Sequence, residues 1–130
     1  MSETPGPTPY QRIGEEAVVR RIASRFYDLM ESDPAVAPLR ALHAADLGPM
    51  REKLGDFMIS WMGGPPVYFQ RKDAKCMTMA HEPFAIDESV RGQWLSCMYR
   101  ALDDCGVDPD MQALLRAALE RMTASMVNRA

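Results

Sequence analysis

The sequence is poor in the residues from which most small thiol and metal sites are built. It has three cysteines, Cys76, Cys97 and Cys105, with no CxxC pair, which speaks against a disulfide framework and a thiolate zinc site. Reduced, partly buried thiols remain as the reading. Cys97 and Cys105, eight apart on one expected helix, lie too far from each other to bridge. Histidine occurs only as His43 and His81. Neither belongs to an HExxH or His/Cys pattern, and the chain has no P-loop and no Ser-centred nucleophile elbow, so the common hydrolase and nucleotide-binding designs are absent. No apolar run approaches the roughly 18 residues that span a bilayer, and Met1 to Thr8 lack the apolar core of a signal peptide. No membrane association and a cytoplasmic location are therefore expected. Charge of one sign is lacking too: 15 Lys and Arg stand against 18 Asp and Glu, for a net charge of -3. The cations are scattered among acids, which argues against a nucleic-acid partner.

No strand-like alternation, internal repeat or low-complexity segment interrupts the chain. With 47% hydrophobic and 25% charged residues over 130 positions, it has the composition of one globular domain, able to bury about two-thirds of the surface its unfolded chain exposes. One domain over residues 1–130 is expected, with residues 1–8 as a flexible extension.

What is present is helical periodicity. Val18, Ile22, Phe26 and Met30 recur every four residues, with Val19, Ala23 and Tyr27 beside them, predicting a helix over 15–31 that stops at Ser32, Asp33 and Pro34. A short helical turn through Val36, Leu39 and Leu42 follows before His43. Asp46 is placed to cap a helix carrying Met50, Leu54, Phe57 or Met58, and Trp61, which Gly63-Gly64-Pro65-Pro66 ends. Residues 67–86 are irregular, with a helical piece through Met77, Met79 and His81 before Pro83. Asp87 reads as the N-cap of a helix through Val90, Trp94, Cys97, Met98 and Ala101 that stops at Gly106. Asp108-Pro109 opens the last helix, through Leu114, Leu115, Ala118, Met122 and Met126. Four principal helices with short connecting ones result, an all-α chain. Its carboxylates fall mostly at solvent-facing helix positions.

The one place where chemistry gathers is His81. It follows Met77 and Met79 and precedes Pro83, Phe84 and Ile86, an apolar setting in which an imidazole can meet a flat hydrophobic cofactor. From the residues alone a surface or hydrogen-bonded core histidine is the commoner case. Tyr27 and Trp94, both on apolar stripes, read from periodicity as core aromatics whose polar tips find partners. The eleven methionines lie on helical stripes rather than in short clusters, which suits gap-filling in a core.

Several separated segments, in order, resemble the group II truncated haemoglobins of the bacterial globin superfamily: Phe26-Tyr27-Asp28-Leu29, Leu39-Arg40-Ala41-Leu42-His43, Gly63-Gly64-Pro65, His81-Glu82-Pro83-Phe84-Ala85-Ile86, Arg91-Gly92-Gln93-Trp94-Leu95-Ser96-Cys97-Met98 and Val107-Asp108-Pro109. The resemblance covers about residues 9–127. It implies an all-α, two-over-two helical sandwich around haem b (iron protoporphyrin IX), with His81 as the iron ligand. Tyr27, Trp94 and His43, backed by Phe26, would line the opposite, ligand-binding face. Met50, Leu54, Phe57 and Met58 would pack over that face, while Phe84 and Ile86 line the other. Met77, Met79 and Met98 complete the cofactor contacts, and Lys53 and Tyr68 reach the propionates. The residue before the proximal histidine, commonly arginine in this family, is Ala80 here. The usual glycine-histidine-proline before it reads Asp73-Ala74-Lys75. Met50 stands where a small residue is usual and would narrow the ligand's route.

The function that the resemblance implies is reversible binding of dioxygen, or of another small ligand such as nitric oxide, carbon monoxide or sulfide. The alternative is a haem enzyme, a nitric oxide dioxygenase or a peroxidase, with an external reductase as partner. A third reading, of a different class, is a haem-free helical interaction module. Monomer and homodimer both remain open.

Overall fold

A computed structural model describes residues 6–129. The expected extension over residues 1–8 lies mostly outside these, but Thr8 is ordered by its own chemistry. Its side chain accepts from the Gln11 amide while the Gln11 side chain accepts from the Thr8 amide, a capping box that opens a short helix, α1 (Pro9–Ile13). The periodicity missed α1, since five residues carry no repeat.

The remaining helices are α2 (Glu15–Ser32), a single 3-10 turn (Pro34–Val36), α3 (Ala37–Ala41), α4 (Gly48–Trp61), α5 (Met77–His81), α6 (Glu88–Asp104) and α7 (Pro109–Ala124). Asp87 and Asp108 cap α6 and α7 as expected, accepting from the amides of Val90 and Met111. The expected Asp46 cap is displaced by one residue: Leu47 is the N-cap of α4, and the Asp46 carboxylate instead accepts from Gly48 at 2.9 Å. The stripe expected on the last helix is corrected as well. Leu114 is 47% exposed and α7 ends before Met126, whereas Met111, Leu115, Leu119 and Thr123 form the buried face.

Helix α2 packs along α4 and across α6, and α6 pairs with α7. These four helices form two layers of two, around a core whose largest enclosed side chains include Phe26, Ile22, Met30, Ile59, Met98, Leu102 and Met111. Each contributes about 1.5–3 kcal/mol by leaving water. The two helices of the first layer approach closely at Gly55, where an added Cβ would come within 2.9 Å of Arg20 and 3.9 Å of Ala23. Among the described residues no strand occurs and no helix is long and apolar enough to cross a membrane.

Helix α5 is different. It makes no extended contact with any other helix and is held at its two ends by loops, so the segment carrying His81 stands beside the sandwich rather than within it.

Candidate functional site

On α5, His81 is half-buried and its Nδ1 lies 2.6 Å from the Met77 carbonyl oxygen. A carbonyl only accepts, so Nδ1 is the donor, and in the neutral ring Nε2 keeps its lone pair. One hydrogen bond thereby fixes both the ring's orientation and the tautomer that a metal ligand requires. Among the described residues no three His, Cys, Asp or Glu side chains converge as a metal site. A metal held here through His81 would bring its remaining ligands with it, as a porphyrin does.

Helix α2 supplies Phe26 and Tyr27, and α6 supplies Trp94. The Phe26 ring meets Tyr27 edge-on at 4.9 Å and Trp94 at 5.1 Å, and the His43 ring stands 5.9 Å from Tyr27. Tyr27 is 3% exposed. A buried phenol or indole ordinarily finds a hydrogen-bond partner, yet among the described residues neither the Tyr27 hydroxyl nor the Trp94 N–H has one in the chain. No enclosed side-chain nitrogen or oxygen is left unsatisfied, so both polar tips open onto accessible space. That arrangement departs from the core aromatics which periodicity alone favours. Burial pushes the Tyr27 phenol well above its usual range, against a smaller opposing effect of Arg51, so it remains a donor.

His43 follows α3, with Nδ1 2.9 Å from the Leu39 carbonyl. Burial lowers its pKa, outweighing that hydrogen bond, and the nearby charges of Arg40 and His81 act in the same direction. The neutral His43 ring spends its proton on Leu39, so its Nε2 is an acceptor; the donors packed around Phe26 are Tyr27 and Trp94.

Helix α4 is apolar over a wider arc than its packing on α2 requires. Gly55, Met58, Ile59 and Met62 face the core and are buried, whereas Met50, Leu54, Phe57 and Trp61 form a second, half-buried stripe on its flank. The expected stripe thus splits, with Met58 turning inward. Met77 is half-buried, Met79 is 58% and Phe84 41% exposed, while Ile86, Met98 and Phe26 belong to the buried interior. A second apolar stripe, exposed methionine and phenylalanine around His81, and an imidazole with a free lone pair together fit a flat, apolar, metal-bearing group.

The polar edge departs further from expectation. The Tyr68 phenol, expected at the propionates, is buried and donates to the Lys75 carbonyl at 2.8 Å while accepting from the Lys75 amide at 3.3 Å. It holds the loop before α5. Lys53 pairs with Asp73 at 3.1 Å, and Arg71 bonds both Asp73 and Asp56. Asp56 also takes Arg20 at 2.7 Å. Although burial would raise the Asp56 pKa, the two guanidiniums hold it below the ordinary carboxylate range. Arg71 first and Lys53 second depress Asp73 likewise. Asp56 breaks the expectation that the acids face solvent, being only 8% exposed. Its position inside an apolar run of α4 was the available signal. Asn128, whose bonds reach the turn after His81, left no signal in the periodicity. The thiols are all free, but Cys76 is exposed rather than partly buried.

The bacterial-like globin family profile matches residues 8–128. Over 120 residues the chain is 32% identical to Group 2 truncated hemoglobin YjbI of Bacillus subtilis (strain 168), covering 92% of this chain and 88% of that one. Among solved structures it superposes with a TM-score of 0.92 on a Group II 2-on-2 hemoglobin from Agrobacterium tumefaciens, at 32% identity over 99% of this chain and 100% of the other. The cold-adapted truncated hemoglobin of Pseudoalteromonas haloplanktis TAC125 gives 0.91 at 32% identity, over 95% and 100%. With its two-over-two helical sandwich, the chain belongs to the bacterial-like globins and, among them, to the group II truncated haemoglobins, a family of haem-binding proteins that take small gaseous ligands.

Proposed function

We propose that this protein holds haem b through His81 and reversibly binds dioxygen on the side lined by Tyr27, Trp94 and His43. The observation that supports this most directly is the pair of donors, Tyr27 hydroxyl and Trp94 N–H, left without partners among the described residues while their rings are packed around Phe26. Haem, when bound, supplies an iron centre that takes a diatomic ligand and shifts electron density onto it. The rest is done by the chain. Nε2 of His81 presents its lone pair because Nδ1 is committed to Met77. The half-buried stripe of Met50, Leu54, Phe57 and Trp61 offers an apolar wall that excludes water, with Met77, Met79 and Phe84 beside His81. Tyr27 and Trp94 donate to a ligand bearing partial negative charge. His43, neutral and accepting at Nε2, takes a hydrogen bond from a water rather than donating itself, which leaves the Tyr27 proton for the ligand.

Hydrogen bonds to charged acceptors contribute about 1.5–3 kcal/mol each, so two of them slow ligand escape by on the order of a hundredfold or more. The ligand is tightly held and slowly released, which suits specialised gas handling better than bulk carriage. Lys53, which pairs with Asp73 at 3.1 Å, would exchange that carboxylate for a propionate. An external reductase maintains the ferrous state, and the cytoplasm is the compartment this chemistry fits.

The test is the absorption spectrum of haem-reconstituted wild type and His81→Ala in ferric, ferrous and carbon monoxide forms, with dioxygen release rates for Tyr27→Phe and Trp94→Leu. The expected result is an imidazole-type Soret band lost in His81→Ala, and release accelerated about tenfold or more in each distal variant. Unchanged ligation in His81→Ala would overturn the assignment of His81 as the iron ligand, and unchanged release that of the donors.

A further inference from the structure

The turn after His81 is fastened by one side chain from the far end of the protein. The Asn128 side-chain oxygen accepts from the Ile86 amide at 2.9 Å, and its Nδ2 donates to the Phe84 carbonyl at 2.9 Å and the His81 carbonyl at 3.4 Å. The backbone adds two more bonds, Asn128 N–H and Arg129 N–H to the Ile86 carbonyl at 2.9 and 3.1 Å. Both functions of one amide are thus used on three residues of one turn, which aspartate, leucine or serine side chains cannot reproduce.

The strap is itself anchored. On α6, one turn before Trp94, Arg91 donates to the Thr123 hydroxyl at 3.0 Å and the Glu120 carbonyl at 2.8 Å, both on α7. Thr123 is 6% exposed. The path therefore runs from the helix carrying Trp94, through α7, to the turn carrying His81. Because α5 makes no extended contact with another helix, its position is set by its two tethers, Tyr68 to Lys75 before it and Asn128 after it.

We infer that Asn128 is a positioning residue for the His81 imidazole: by fixing the backbone of His81 to Ile86 against α7, it sets the height and tilt of the His81 ring relative to the Trp94 side of the site. This rests on the reading of His81 as the iron ligand. Groups that hold a ligand from outside the coordination sphere typically change metal affinity by about 10–100-fold when removed.

The experiment uses haem-loaded wild type, Asn128→Ala and Asn128→Asp, with Asp108→Ala as a control that weakens α7 at its distant cap. In Asn128→Ala the iron–imidazole stretching band of the ferrous form, read by resonance Raman, shifts or broadens. Haem transfer to an acceptor apoglobin accelerates about tenfold or more. Asp108→Ala lowers the melting temperature and leaves the band in place. In the haem-free chain, hydrogen exchange at the Ile86 amide quickens in Asn128→Ala and is retained in Asn128→Asp, which keeps the acceptor but loses the Nδ2 donors. An unmoved band with a lowered melting temperature would reduce Asn128 to a purely structural residue and overturn the inference. A wild type whose spectrum lacks imidazole ligation overturns the parent reading instead, and the Ile86 exchange then still decides whether the clamp exists.

Discussion

Replacing Asp56 with alanine removes a buried carboxylate that two arginines share. Asp56 is 8% exposed and accepts from Arg20 and Arg71 at 2.7 Å each. Breaking a buried pair costs about 3–5 kcal/mol when the surviving charge stays dry. Here the arginine side chains are 36% and 24% exposed, so both rehydrate in part and the expected loss falls to about 2–3 kcal/mol. For a chain of 130 residues, at about 2.1 cal/mol/K per residue, each kcal/mol moves the melting temperature by roughly 4 °C, giving a drop of about 7–11 °C. The acid limb tells the same story. The folded-state pKa is depressed, so the contribution is complete above the unfolded value and lost as pH falls through the folded one. The difference between wild type and Asp56→Ala, followed by calorimetry, therefore shrinks on acidification. Asp56→Asn, which keeps an acceptor, falls between them. A drop below about 2 °C, or a difference that persists at low pH, would show that the arginines are indifferent to Asp56 and refute the reasoning.

Three further outcomes are expected. Phe26→Ala, at a side chain with no exposure, costs about 3–5 kcal/mol by denaturant titration and loosens both Tyr27 and Trp94; a loss under 1 kcal/mol would place the ring outside the core. The His43 imidazole, followed by NMR, titrates below its ordinary value because of burial; its neutrality stabilises the fold above that ordinary value, and the benefit is lost as pH falls through the folded one. A normal or raised midpoint would contradict the burial argument. Among the free thiols, Cys76 reacts with a disulfide reagent at once, whereas buried Cys97, whose thiol burial pushes up, reacts only on unfolding. Equal rates would show that α6 opens readily.

The local signals in this sequence were the ones that depend on neighbours a few residues away. Asp87, Asp108, Asp33-Pro34 and Gly63-Gly64-Pro65-Pro66 placed helix ends because a cap or a breaker acts within one turn. The stripes of α2 and α6 located core faces, since helical period and burial coincide where a helix buries one apolar face. On α4 the period was too generous: its apolar arc serves both the core and the flank, and only the packing of α2 decided that Met58 turns in while Phe57 stays half-buried. On α7 the same ambiguity put Leu114 inside when it lies outside.

The sequence by itself determined the helical class and most of the helix ends and, through segments resembling a known family, singled out His81, Tyr27, Trp94 and His43 as a candidate set. Only the tertiary structure decided what their polar atoms do. Among the described residues the Tyr27 and Trp94 tips have no partner, His43 spends its proton on Leu39, Tyr68 turns to Lys75, and Asp56 binds two arginines from distant parts of the chain. Asn128 reaches back 42 residues to Ile86. A hydrogen bond is directional and short, so the identity of its two ends depends on which backbones the fold brings within about 3 Å; periodicity sees only the face on which each residue stands.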